Sequence, residues 1–97
     1  PSDKYKIVHK FHVQLPRLHG LARVQDGIWC AHTTDNVIVK YDTDTGAEKD
    51  RITLDPDDAY VHGLSIKDGE LWYGDANFAG KHNTATTGQP EIGKIVA

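Results

Sequence analysis

The chain has 97 residues, 38% of them hydrophobic and 26% charged, with a net charge of −3. That length allows one domain near the lower limit for a self-sufficient core, and the charge argues against a nucleic-acid partner, which needs a basic stripe. No apolar run approaches the ~20 residues of a membrane helix, and a single cysteine, Cys30, excludes an intrachain disulfide or a cysteine-based zinc site.

A reduced cytoplasm suits a lone cysteine that behaves as a small hydrophobe. A chain that opens on Pro1 also leaves room for a removed leader.

In chain order, residues 5–13 (YKIVHKFHV) alternate with period two. Ile7, His9, Phe11 and Val13 fall on one face and Val8, Lys10 and His12 on the other, which predicts a strand. GLARV at 20–24 and GIWCAH at 27–32 flank Gln25-Asp26-Gly27, and Asp-Gly between apolar runs predicts a hairpin. VIVKYD at 37–42 predicts a third strand, Thr43-Asp44-Thr45-Gly46 a polar turn, and residues 48–54 a fourth strand. GLSIK at 63–67, the turn Asp68-Gly69 and ELWYGD at 70–75 then repeat the opening pattern. Apolar residues never recur at helical spacing over ten or more positions. The predicted class is all-β.

The repetition is quantitative. His19 and His62 lie 43 residues apart, as do Gly20 and Gly63, Leu21 and Leu64, and Trp29 and Trp72. The first copy runs on to Lys40 and the second to Lys94, so the second carries an insertion of about eleven residues within 76–90. A period in the forties with four strands per unit is the signature of a β-propeller blade. The predicted organisation is a single two-blade unit. Residues 1–17 form an outer strand completing a neighbour's blade, 18–60 form blade one, and 61–97 give three strands of blade two.

Two blades cannot close a ring, since propellers need roughly four to eight. Head-to-tail association of identical chains closes one. A homotrimer gives six blades and is the expected assembly; a dimer gives four blades and a tetramer eight. The alternative is that the chain is one piece of a longer propeller.

The motif HGLSIKDGELWYGDAN…IGKI resembles the streptogramin B lyase family and its wider group of lyase-like propellers. Gly63, Leu64, Asp68, Gly69, Leu71, Trp72, Ile92, Gly93, Lys94 and Ile95 carry the resemblance. It implies a six- or seven-bladed propeller and, for the lyases themselves, a metal-assisted site using histidine and glutamate. The position three residues after the blade tryptophan is often acidic in that group, so Asp75 follows the pattern and His32 departs from it. The glutamates here are Glu48, Glu70 and Glu91, and Glu70 belongs to the turn at the far end.

Strand order predicts which end carries a site. Residues starting the first strand of a blade and ending the second share a face. That face collects His19, His62, His32, Asp75, the loop 55–60 and the long loop 76–90. His19 and His62 are the first ligand-binding candidates, pointing into a channel, where neutral imidazoles bind a divalent metal or an anion, or exchange protons near neutral pH. The alternative for each is a hydrogen bond across blades that fixes the turn. His32 and Asp75 suit a base with its orienting partner, metal ligands, or a solvated pair. Asn77 and His82 are further ligand-binding candidates on the long loop. Asp55, Asp57 and Asp58 match no calcium-loop spacing and read as a solvated turn. Trp29, Trp72 and Tyr73 are expected to pack between blades.

Three readings follow. The first is an oligomeric propeller that binds a small polar ligand at the channel mouth. The second is a metal-assisted lyase-like or hydrolytic enzyme with His19, His32, His62 and Asp75 as its catalytic candidates. The third is a protein-interaction scaffold. A divalent metal at His19 and His62 is the cofactor these residues would suggest.

Overall fold

A computed structural model of the chain describes residues 4–55, 57–75 and 90–96. Seven strands form: β1 (Leu18–Val24), β2 (Gly27–His32), β3 (Val37–Tyr41), β4 (Glu48–Thr53), β5 (Val61–Lys67), β6 (Glu70–Asp75) and β7 (Ile92–Ile95). They build two antiparallel meanders, a four-stranded sheet ordered β1-β2-β3-β4 and a three-stranded sheet ordered β5-β6-β7. Among the described residues no helix is long and apolar enough to cross a membrane. The all-β expectation is met, while the two sheets of one chain close no ring.

Local chemistry explains the turns. β5 and β6 are joined by Asp68-Gly69, both with positive φ (53° and 77°), the combination a two-residue type I′ hairpin requires. In the first sheet Val24 pairs with Gly27, so the loop is Gln25-Asp26 and Gly27 lies inside β2. There a side chain would strike the Tyr41 carbonyl. At the β3–β4 turn the Asp42 carboxylate accepts the backbone N–H groups of Asp44 and Thr45 at 2.8 and 3.0 Å. Those bonds hold its carboxyl below the usual carboxylate range.

The repeat survives into the pairing register. In the first sheet Ala22 faces Trp29, Trp29 faces Lys40, and Ala31 faces Ile38. In the second, Ser65 faces Trp72, Trp72 faces Lys94, and Gly74 faces Ile92. The insertion between β6 and β7 leaves that register unchanged. Each lysine lies over its tryptophan, at 5.4 and 5.8 Å, and pairs with a carboxylate of the hairpin end, Asp26 or Glu70.

Alternation along each strand decides the packing. Ala22, Ala31 and Ile38 of the first sheet, with Trp29 and Ile52, form a core against Val61, Leu64, Ile66, Leu71, Tyr73 and Ile95 of the second. The opposite face of the first sheet carries Ile28, Cys30, Val37, Val39 and Tyr41. β3 is therefore apolar at consecutive positions because both of its faces are covered. Burial pushes the Cys30 thiol up to about 11, leaving it an inert core group.

The cover on that opposite face is the segment before β1. Phe11, Val13 and Leu15 pack against the Cys30–Tyr41 cluster, and His9 Nε2 donates to the Thr43 carbonyl at 3.0 Å. Residues 5–13, expected as a strand, pair with no strand among the described residues. Their alternation is strand-like, and their apolar side chains Phe11 and Val13 serve as a lid on the first sheet. Of the tryptophans, Trp29 packs between the sheets as expected, whereas Trp72 lies on the outward face of the second sheet, in register with Lys94.

Candidate functional site

Leu18 pairs with His32 and Val61 with Asp75, so the starts of β1 and β5 and the ends of β2 and β6 lie at one end of the two sheets. Both β1 and β5 break register as they begin, between Leu18 and Leu21 and between Val61 and Gly63. His19 and His62 sit in those irregular starts. β1 and β5 are neighbours there because Gly20 has no side chain: a Cβ would lie 2.4 Å from the His62 carbonyl oxygen and 2.9 Å from Gly63 Cα. The two imidazoles stack, with ring centroids 4.1 Å apart and planes tilted by 33°, and both residues are exposed.

Lost hydration, then the neighbouring His62, then Arg17 lower the pKa of His19 below its usual 6.5. The unfolded chain therefore binds more protons in mildly acid solution than the folded one does. The native state keeps its full stability above about pH 6.5 and loses this contribution as the pH falls below it. The thermal midpoint is expected to drop between pH 7.5 and 5.5, and His19→Gln is expected to flatten that slope. An unchanged slope in the variant would show that the stacked pair does not couple to the fold.

His32 is placed differently from the rim position the sequence suggests. It is 1% exposed, beneath the lid segment. Its Nδ1 faces the Pro16 carbonyl at 3.4 Å and its Nε2 the Tyr41 hydroxyl at 2.8 Å. A carbonyl only accepts, so Nδ1 carries the proton and Nε2 accepts from Tyr41. Both ring nitrogens thus serve the packing of this chain. The first sheet's end meets β5 through Thr33 and Asn36, which bond to Val61, and Val61 in turn pairs with Asp75.

Asp75 belongs instead to an acidic group on the second sheet. Its backbone N–H donates to the Glu91 carbonyl at 3.0 Å, and the Tyr73 hydroxyl donates to the Glu91 carboxylate. Burial first, then Glu91, with Asp58 and Asp75 beyond it, pushes the Tyr73 hydroxyl up to about 12. Gly93 permits this arrangement: a Cβ there would overlap the Tyr73 ring. Glu91 was not among the sequence-derived candidates. The signal was an inward-facing tyrosine whose polar tip must find a partner when buried.

Asp58 Oδ2 accepts the Asp55 N–H at 2.8 Å and the Asp58 N–H donates to the Asp55 carbonyl, a self-contained turn. Asn77 and His82 lie outside the described residues. Among the described residues no three His, Cys, Asp or Glu side chains come together to hold a metal ion. The His19–His62 pair by itself is short of the three protein ligands usual in catalytic zinc sites.

The residues the sequence missed altogether are Thr33 and Asn36. Thr33 Oγ1 donates to the Val61 carbonyl at 2.9 Å, while Asn36 accepts the Val61 N–H and donates to the Ala59 carbonyl, both at 3.0 Å. These bonds tie the first sheet to the strand that carries His62. No family model, curated protein or solved structure matches the chain.

Proposed function

We propose that the chain is a two-blade β-propeller unit whose copies close a ring, three chains giving six blades. The ring binds a small polar ligand at the mouth where the inner strands begin. The observation that carries this reading is the stacked, exposed His19–His62 pair on adjacent inner strands. The stacked pair offers both a donor and an acceptor, and His19, whose pKa is lowered, takes up a proton when an anionic ligand arrives. Arg17, whose charge acts on His19, favours an anionic group on that ligand. Asp75 stands at the same end of the second sheet.

The test follows the imidazole signals by NMR while inorganic phosphate, citrate and glucose are added in turn. At least one is expected to shift the His19 and His62 resonances in a saturable way, and His62→Ala is expected to weaken that binding at least tenfold. Imidazole signals that stay still with every probe would sink the binding reading.

A further inference from the structure

Repeated residues of the two sheets occupy the same register yet meet different surroundings. Ile38, on the face of the first sheet that the second sheet covers, is 0% exposed. Its counterpart Ile92, opposite Gly74 as Ile38 is opposite Ala31, is 80% exposed. The other side of the contact shows the same asymmetry. Val61, which the second sheet presents to the first, is 2% exposed, whereas its counterpart Leu18 is 39% exposed and nearby Leu21 is 55% exposed. Glycine reports it a third time. Gly20 touches the backbone of β5, while a Cβ on Gly63 would meet nothing within 4 Å.

Each half of the intrachain contact therefore exists a second time, on opposite outer surfaces. The outward face of the second sheet carries the side of the contact that buries Ile38. The Leu18–Leu21 region of the first sheet carries the side that buries Val61. An occupant fitting the first surface already exists in this chain's own fold, and it is the second surface.

We propose that the outward face of the second sheet, which carries Ile92 on its edge strand, docks on the Leu18–Leu21 face of a second copy of this chain. β7 then runs alongside that copy's residues 5–13. The inference rests on the ring reading above and names the surfaces that close it. The lid segment is already in place for this: Phe11 and Val13 pack on the first sheet as Ile52 and Leu54 of the β4 region pack on the second. They hold the position of a preceding blade's outermost strand, with Ile7 and Val8 exposed beside it. β7 is the outermost strand of the second sheet, and among the described residues no strand pairs with its other edge. An open edge and a spare extended segment satisfy one another. The contact is head-to-tail, using different patches on the two partners, and closes when the rotation completes a circle.

Light scattering on wild type, Ile92→Asp and Leu21→Asp tests it, with circular dichroism confirming the β signal of each. Both residues are exposed in the single chain, so both variants are expected to fold; Ser65→Glu and Leu18→Asp provide a second pair. Wild type is expected at three chains and each variant at one chain of 10.8 kDa. An equal mixture of Ile92→Asp and Leu21→Asp is expected to run at two chains, because one intact surface of each kind remains. Variants that keep the wild-type mass would overturn this docking surface while leaving the ring standing. A mixture that stays at one chain would show that these faces do not meet. Wild type at one chain at every concentration would remove both the surface and the ring.

Discussion

Gly20→Val is expected to pry the two sheets apart at the end that carries the histidines. The atoms nearest a Cβ there are all backbone: the His62 carbonyl oxygen at 2.4 Å, Gly63 Cα and Leu64 N at 2.9 Å. No rotamer change relieves such a clash, so β1 or β5 must move as a strand. Overpacking costs typically about 1–3 kcal/mol, and a contact made wholly of main chain belongs at the upper end. For a domain of this size each kcal/mol lowers the thermal midpoint by about 4–8 °C. A loss of about 10–20 °C is expected in a melting experiment, together with loss of the His19–His62 stacking read from the imidazole signals. The comparison is Gly63→Ala in the Ile92→Asp background, where copies are held apart. Gly63 meets nothing within 4 Å, so that change is expected to move stability by less than about 0.5 kcal/mol. Equal losses at the two glycines would mean that β1 and β5 do not approach one another as described.

The second large effect is expected at Asn36. Its side chain is buried, accepts the Val61 N–H and donates to the Ala59 carbonyl, each at 3.0 Å. Its own carbonyl accepts the Leu54 N–H, and its φ is +51°, a left-handed conformation that asparagine tolerates better than most residues. Asn36→Ala leaves a buried donor and a buried acceptor unsatisfied, at about 1–3 kcal/mol for each such group, and adds backbone strain of about 1 kcal/mol. A loss of about 3–5 kcal/mol is expected in urea unfolding. Asn36→Gly separates the two causes: it relieves the strain but not the missing bonds, and is expected to recover about 1 kcal/mol. Asn36→Asp keeps the acceptor and turns a carboxylate toward the Ala59 carbonyl, so it is expected to fall no better than alanine. A glycine variant as stable as wild type would show that these bonds do not hold β5 to the first sheet.

Thr33 and Asn36 also show where reading along the chain stops. TTDN looks like an ordinary polar turn between β2 and β3, and nothing local marks its side chains as the clamp on a strand twenty-five residues away. His32 is a similar case. Its place after GIWCA puts it at the correct end of the sheet, but its burial comes from Phe11, Val13 and Leu15 lying over that face. His19 and His62 were legible as a pair through the 43-residue spacing, whereas their stacking depends on how closely β1 and β5 approach. For Tyr73 the strand position was readable and the Glu91 partner was not, because the two are brought together across the β6–β7 pairing.

The sequence alone determined the all-β class, the strand positions from 20 onward, the hairpin at Asp68-Gly69 and the shared register of the two copies. These follow from period-two alternation and turn chemistry, which act between near neighbours along the chain. The tertiary structure decided which copy of each repeated residue is covered. Ile38 and Ile92 hold equivalent register positions, opposite Ala31 and Gly74, yet one is buried and the other lies open. Burial is a property of what stacks on a sheet face, and residue identity along one strand does not specify that. The same reason explains the segment at 5–13: its alternation is that of a strand, but a ladder needs a partner edge, and among the described residues the segment pairs with none.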